Sequence, residues 1–180
     1  MGYLMTCVLI REVDGSDYMV PIILDIEASG FGKGSYPIEL GIALADRTVK
    51  NYLIRPLEAW LHWDKQAEGV HGITRELLDR EGREIKEICL EMNELLEGMM
   101  VYSDGWGFDS SWLSLLFYCA GMKMTFRLET LTRILSEPQM HIWDRTRQAV
   151  LQEWGVELHR APIDARVLQE TYIRTLEAVS

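Results

Sequence analysis

Asp25 and Glu27 stand two positions apart at the end of the apolar run Met19–Glu27 (MVPIILDIE). On a strand, residues two apart leave the same face. Two carboxylates held side by side there cost several kcal/mol unless something positive neutralises them. A third acid, Asp109, opens the apolar segment Asp109–Ala120, and a fourth, Asp164, follows Pro162 at the head of the last periodic segment. His159 precedes Asp164 by five positions, between Gly155 and Pro162. Taken singly, each has an ordinary explanation. Asp25 and Glu27 read equally as a strand end emerging into solvent, Asp109 as an N-cap, Asp164 as a first-turn acid favoured by the helix dipole, and His159 as a surface residue.

The surrounding patterns say which elements would position these groups. Met19–Glu27 is β-branched and apolar, as for an interior strand, with Pro21 tolerable only near its start. Pro37–Ala45 and Thr48–Arg55 read as two further strands joined at Asp46–Arg47, a hairpin-length connection. Thr74 can cap a short helix. Arg83–Glu97 carries Ile85, Ile88, Cys89, Met92, Leu95 and Leu96 on one stripe, with Gly98 as its stop. Met99–Tyr102 reads as a short buried strand and Asp109–Ala120 as a buried helix, with helices at Gln139–Trp154 and Pro162–Ala178. Strands early and helices later point to an α/β chain, a mixed sheet with helices packed on it.

Length and composition narrow the class. One domain accounts for 180 residues, and 48% hydrophobic with 26% charged residues excludes disorder and fibrous repeats. Cys7, Cys89 and Cys119 are odd in number and form no C-x-x-C pair, which argues against a disulfide framework or a zinc knuckle. No stretch is long and apolar enough to span a bilayer and no signal peptide is read, so the expectation is a soluble cytoplasmic protein without a membrane partner. The net charge of −10 disfavours a protein that wraps long duplex. Half of it, eight acids against three bases, sits on Glu76–Glu97, as on a solvated helix face.

Order and spacing together carry more than the single residues. Asp25-Ile26-Glu27-Ala28-Ser29-Gly30-Phe31, Pro37-Ile38-Glu39-Leu40-Gly41, Val70-His71-Gly72-Ile73-Thr74, Phe108-Asp109-Ser110-Ser111-Trp112-Leu113 and His159-Arg160-Ala161-Pro162-Ile163-Asp164-Ala165 occur in that sequence. With these motifs the chain resembles the DEDDh class of 3′–5′ exonucleases, the proofreading-exonuclease superfamily, over about residues 20 to 178. It departs at Asp104-Gly105, where many members carry His-Asn.

The resemblance implies a ribonuclease H-like fold with a mixed central sheet of about five strands and helices on both faces. It makes residues 19–180 the exonuclease domain and 1–18 an extension, with an added strand at Leu4–Val13 as one reading. It implies Asp25, Glu27, Asp109 and Asp164 as ligands of two divalent cations and His159 as general base. An oxygen-only set joined by no Cys or second His suits Mg²⁺ or Mn²⁺. Two such ions can hold the attacking and leaving oxygens of a phosphodiester displacement, releasing nucleoside 5′-monophosphates from a single-stranded DNA or RNA 3′ end. Ser29, Gly30 and Phe31 become contacts of the terminal nucleotide, and Arg145, Arg147 and Arg160 phosphate contacts. A homodimer is among the assemblies open to such a chain. A catalytically silent nucleic-acid-binding or interaction module of the same fold is the alternative.

Overall fold

The computed structural model describes residues 19–180, so the extension over 1–18, with its expected strand, lies outside the described residues. Alternation decides the central strand. In β1 (Ile22–Ala28), Ile22, Leu24, Ile26 and Ala28 face one side, and Ile23, Asp25 and Glu27 the other. β2 (Pro37–Ala43) pairs antiparallel with β1, setting Asp25 opposite Gly41 and Glu27 opposite Glu39. β3 (Val49–Leu53) pairs antiparallel with β2. Their connection turns at Asp46–Arg47 as expected, with the Leu44 amide donating to the Thr48 carbonyl and Arg47 at φ 70°.

Three helices, α1 (Lys65–His71), α2 (Arg75–Glu81) and α3 (Ile85–Leu96), lead to β4 (Met100–Ser103), which runs parallel to β1. α4 (Trp106–Ala120) then crosses to β5 (Arg127–Thr130), parallel to β4, giving the sheet order β3-β2-β1-β4-β5. A 3-10 turn at Leu131–Ile134 precedes α5 (Glu137–Trp154) and α6 (Ala161–Val179).

Both faces of the sheet are covered, as expected. Leu24 and Ile26 join a core with Ile88 and Met92 of α3 and Leu113 and Leu116 of α4. Ile23 and Ala43 meet Ala165, Leu168 and Tyr172 of α6, and α5 packs on α6. The face on which Asp25 and Glu27 lie is therefore the one α6 crosses. Where α6 begins, the two backbones nearly touch: a Cβ on Gly41 would lie 2.1 Å from the Ala161 carbonyl carbon. No side chain fits between them, and the helix start is seated directly beside the Asp25 register position.

Two elements have no counterpart in the sequence reading. β5 is four residues long and largely partly exposed, without an apolar alternation to mark it. α1 shows itself only by its caps, Asp64 accepting the Gln66 amide and Gly72 at φ 69°. One boundary matters for the site. α4 begins at Trp106 rather than Asp109, with Gly105 as N-cap, so Asp109 is a first-turn acid and not the cap.

Candidate active site

The C-terminal end of β1, the end of β4 and the starts of α4 and α6 meet at one place. β1 brings Asp25 and Glu27, α4 brings Asp109, α6 brings Asp164, and the loop before α6 brings His159. Asp109 and Asp164 are buried, Asp25 and Glu27 half-buried, and His159 exposed. Ligand atoms of Glu27, His159 and Asp164 lie within 4.8 Å of one another. His159 holds a left-handed backbone, φ 76°, and its amide donates to Asp164 Oδ2 at 2.9 Å. That bend turns the residue back over the first turn of the helix that follows it.

The carboxylates oppose one another's ionisation. Burial raises Asp25 well above the ordinary range, and Asp109, Asp164, Asp104 and Glu27 add to it. Burial pushes Glu27 up to about 7, with Asp164, Glu39 and Asp109 contributing and Arg160 opposing. Asp109 also rises to about 7 through burial, against a hydrogen bond from the Ser103 hydroxyl. Asp164 is raised by burial, opposed by the His159 amide and by the charges of His159 and Arg147.

Oxygen donors so buried and crowded fit a hard divalent cation, whose charge favours the ionised carboxylates that burial first, and neighbouring acids second, disfavour. One atom makes the point locally. Asp164 Oδ1 is buried without a hydrogen-bond partner, a state that costs free energy unless a cation or proton completes it.

Glu39 was given no role from sequence. It lies on β2 opposite Glu27, fully buried, where two like charges across a strand pair are unfavourable. Arg160 resolves this. Its Nε and Nη2 donate to the Glu39 carboxylate, the shortest contact being 2.6 Å, and the Ala161 amide donates to Glu39 Oε2 at 3.0 Å. The residue after His159 is thus clamped to the sheet. Arg160, expected to meet substrate phosphate, has two of its guanidinium nitrogens, Nε and Nη2, engaged by Glu39.

Ser29 is likewise occupied. Its amide donates to the Tyr36 carbonyl, while its hydroxyl accepts the Tyr36 amide and hydrogen-bonds His62 Nδ1 at 2.9 Å. The Asp64 amide closes on the Ser29 carbonyl, and Gly30 takes φ 124° with Asp64 so near that a Cβ would lie 2.5 Å from it. Ser29 and Gly30 thus build the turn that leads to Phe31.

Phe31 follows, 67% exposed, with its ring edge-to-face on Phe108 at 4.9 Å between centroids. Phe108 is itself 58% exposed, adjoins Asp109 and stacks on Trp112 at 5.8 Å. The Phe31–Phe108 pair therefore stands in solvent beside the carboxylates. Phe108 carried no expectation of its own, although its place before Asp109 was the available signal.

No protein-family model and no curated protein sequence matches the chain. Solved structures do. Escherichia coli exonuclease I in complex with a dA16 oligonucleotide superposes with a TM-score of 0.61 at 13% identity, over 88% of this chain and 40% of that one. Its complex with a dT13 oligonucleotide gives 0.61 at 14% identity, over 86% of this chain and 40% of that one. A moderately thermophilic exonuclease I from Methylocaldum szegediense gives 0.58 at 14% identity, over 88% and 42%. The chain spans about two fifths of the length of these proteins. Among the described residues no helix is long and apolar enough to cross a membrane. The five-stranded mixed sheet with helices on both faces is the ribonuclease H-like exonuclease fold, shared here with exonuclease I.

Proposed function

We propose that this chain is a metal-dependent 3′–5′ exonuclease that hydrolyses single-stranded nucleic-acid ends to nucleoside 5′-monophosphates. The observation that supports the reading is the grouping of Glu27, His159 and Asp164, whose ligand atoms lie within 4.8 Å of one another, with Asp25 near enough to Asp109 and Asp164 for their charges to act on it. A purely structural acidic cluster would be expected to have its buried oxygens paired, and Asp164 Oδ1 is not.

In this reading Asp25, Glu27, Asp109 and Asp164 hold two divalent cations, Mg²⁺ or Mn²⁺. Bound there, the cations supply Lewis-acid stabilisation of charge on the phosphodiester as it is displaced. His159 is the general base. Its exposed ring, on a loop fixed behind by Arg160, accepts the proton of the attacking water. Phe31 and Phe108 offer π-faces to the terminal base, a contact worth about 1–3 kcal/mol per base in single-strand binders. Oligonucleotides bound to the structurally similar exonuclease I support the substrate class.

Incubating 5′-labelled single-stranded DNA and RNA oligomers with Mg²⁺, Mn²⁺ or chelator tests this. A ladder shortening from the 3′ end, absent with chelator, is the expected result. Rapid internal cleavage of a circular single strand would overturn the end-directed reading. Binding without cleavage under any metal would mean the silent binding module.

A further inference from the structure

One ring nitrogen of His159 and one carboxylate oxygen from each of Glu27 and Asp164 lie within 4.8 Å of one another. The imidazole read as the base is therefore also a ligand in reach of two of the carboxylates. Asp164 is only 8% exposed. Its Oδ2 accepts the His159 amide, while its Oδ1 has no hydrogen-bond partner among the described residues. The buried carboxylate beside the imidazole thus keeps one oxygen open, which calls for a proton or a cation.

The backbone holds the imidazole at this place. His159 has φ 76°, a left-handed conformation that a residue with a side chain keeps only when its surroundings fix it. The Asp164 carboxylate fixes its amide, and the Glu39 carboxylate fixes Arg160 and the Ala161 amide just beyond. The exposed ring turns on its side-chain torsions alone. Donors bound at about 2.0–2.2 Å to a tetrahedral ion sit about 3–3.5 Å apart. Closing from 4.8 Å to that spacing takes a movement on the order of 1.5 Å, which one side-chain torsion supplies.

We infer that Glu27, His159 and Asp164 form a zinc site that shares its carboxylates with the catalytic cations, and that Zn²⁺ held there inhibits the enzyme by ligating its base. The four carboxylates alone are an oxygen set for Mg²⁺ or Mn²⁺. Adding the imidazole changes the preference. One nitrogen with two carboxylate oxygens suits Zn²⁺, and in such a mixed site Zn²⁺ outranks Mn²⁺. Mg²⁺ prefers oxygen donors and keeps its waters. A ring nitrogen whose lone pair is given to Zn²⁺ cannot accept the proton of the attacking water. Glu27 and Asp164 are withdrawn from the catalytic cations at the same time. Two occupancies thus exclude each other, one with the base free and one with it ligated. The inhibition rests on the exonuclease reading; the site itself does not.

The test reads metal binding apart from cleavage. Zn²⁺ is titrated by calorimetry into the metal-free full chain and into His159→Ala, and Mg²⁺ binding is followed in both by thermal melts. His159→Ala is expected to weaken Zn²⁺ by more than about 100-fold, the upper end of what losing a group that merely supports a ligand costs. Stabilisation by Mg²⁺ should stay as in the parent. Equal Zn²⁺ affinity in the two proteins overturns the site. Co²⁺ in place of Zn²⁺ needs no variant: the parent should show the intense visible bands of a four-coordinate ion, and the weak bands of an octahedral one overturn the assignment. Cleavage of a 5′-labelled oligonucleotide by the parent in millimolar Mg²⁺ should be lost on adding micromolar Zn²⁺ and return with a zinc-selective chelator. Undiminished cleavage with Zn²⁺ bound through His159 overturns the inhibition. No cleavage in Mg²⁺ or Mn²⁺ alone overturns the exonuclease reading and the inhibitory role with it, while loss of Zn²⁺ binding in His159→Ala would still establish the site.

Discussion

Arg160 and Glu39, 121 positions apart in the chain, form a forked ion pair whose carboxylate is fully buried and also accepts the Ala161 amide. The pair fixes the residue adjoining His159 to β2, so the imidazole stands on an anchored segment although its ring is exposed. Glu39→Gln keeps the shape and removes the charge. It is expected to lower kcat about 10–100-fold, the usual effect of disturbing a residue that orients a reacting group. Divalent-metal affinity, read by calorimetry, should stay near that of the parent. A matching loss of metal affinity would show Glu39 acting on the carboxylates and not on the base.

His159→Ala is expected to reduce turnover about 10²–10⁴-fold, the range for a positioned general base. Equal rates for variant and parent from pH 6 to 9 would remove His159 from the reaction.

The raised carboxylates set a pH dependence for the metal-free protein. Asp109 moves from 3.8 to about 7 and Glu27 from 4.5 to about 7, so the folded state binds protons more tightly than the unfolded one. Their contribution to stability is full below about pH 4 and is lost as pH rises to about 7. Thermal melts in chelator should therefore decline across that window, and millimolar Mg²⁺ or Mn²⁺ should restore the loss, because a ligand of the folded state stabilises by RT ln(1 + [L]/Kd). Asp25→Asn should melt at or above the parent in chelator and below it with metal. A variant melting well below the parent in chelator would give Asp25 a structural hydrogen bond instead.

Phe31→Ala and Phe108→Ala remove exposed rings, so little stability should be lost. Each is expected to weaken single-strand binding by about 1–3 kcal/mol. Because the rings touch, the double variant should lose less than the sum of the two. Anisotropy titrations of the three proteins against one oligonucleotide decide this.

Legibility in the sequence followed locality. Asp25 and Glu27 declare a shared face by their spacing, and Ile23 beside them shows which core that face meets. The helices containing Asp109 and Asp164 were visible from apolar content and from Pro162. What escaped depended on distant partners. A glutamate within an apolar strand gives no sign that an arginine far along the chain will neutralise it, so the Arg160–Glu39 ion pair was not legible. Ser103 holds Asp109 across the turn from β4 into α4, and no pattern announces that contact. β5 escaped because a short, partly exposed strand takes its identity from β4 beside it.

The seating of α6 on Gly41 bears on how the molecule comes into being. Asp25, Glu27 and Asp109 are made early and in mid-chain, whereas His159 and Asp164 emerge from the ribosome only with the last helix. A nascent chain lacking α6 holds Glu39 without Arg160 and Asp25 without the charge of Asp164. The electrostatic crowding that calls for a cation is therefore completed at the final docking step. In the exonuclease reading, a chain that has not yet docked α6 lacks both its base and its fourth carboxylate.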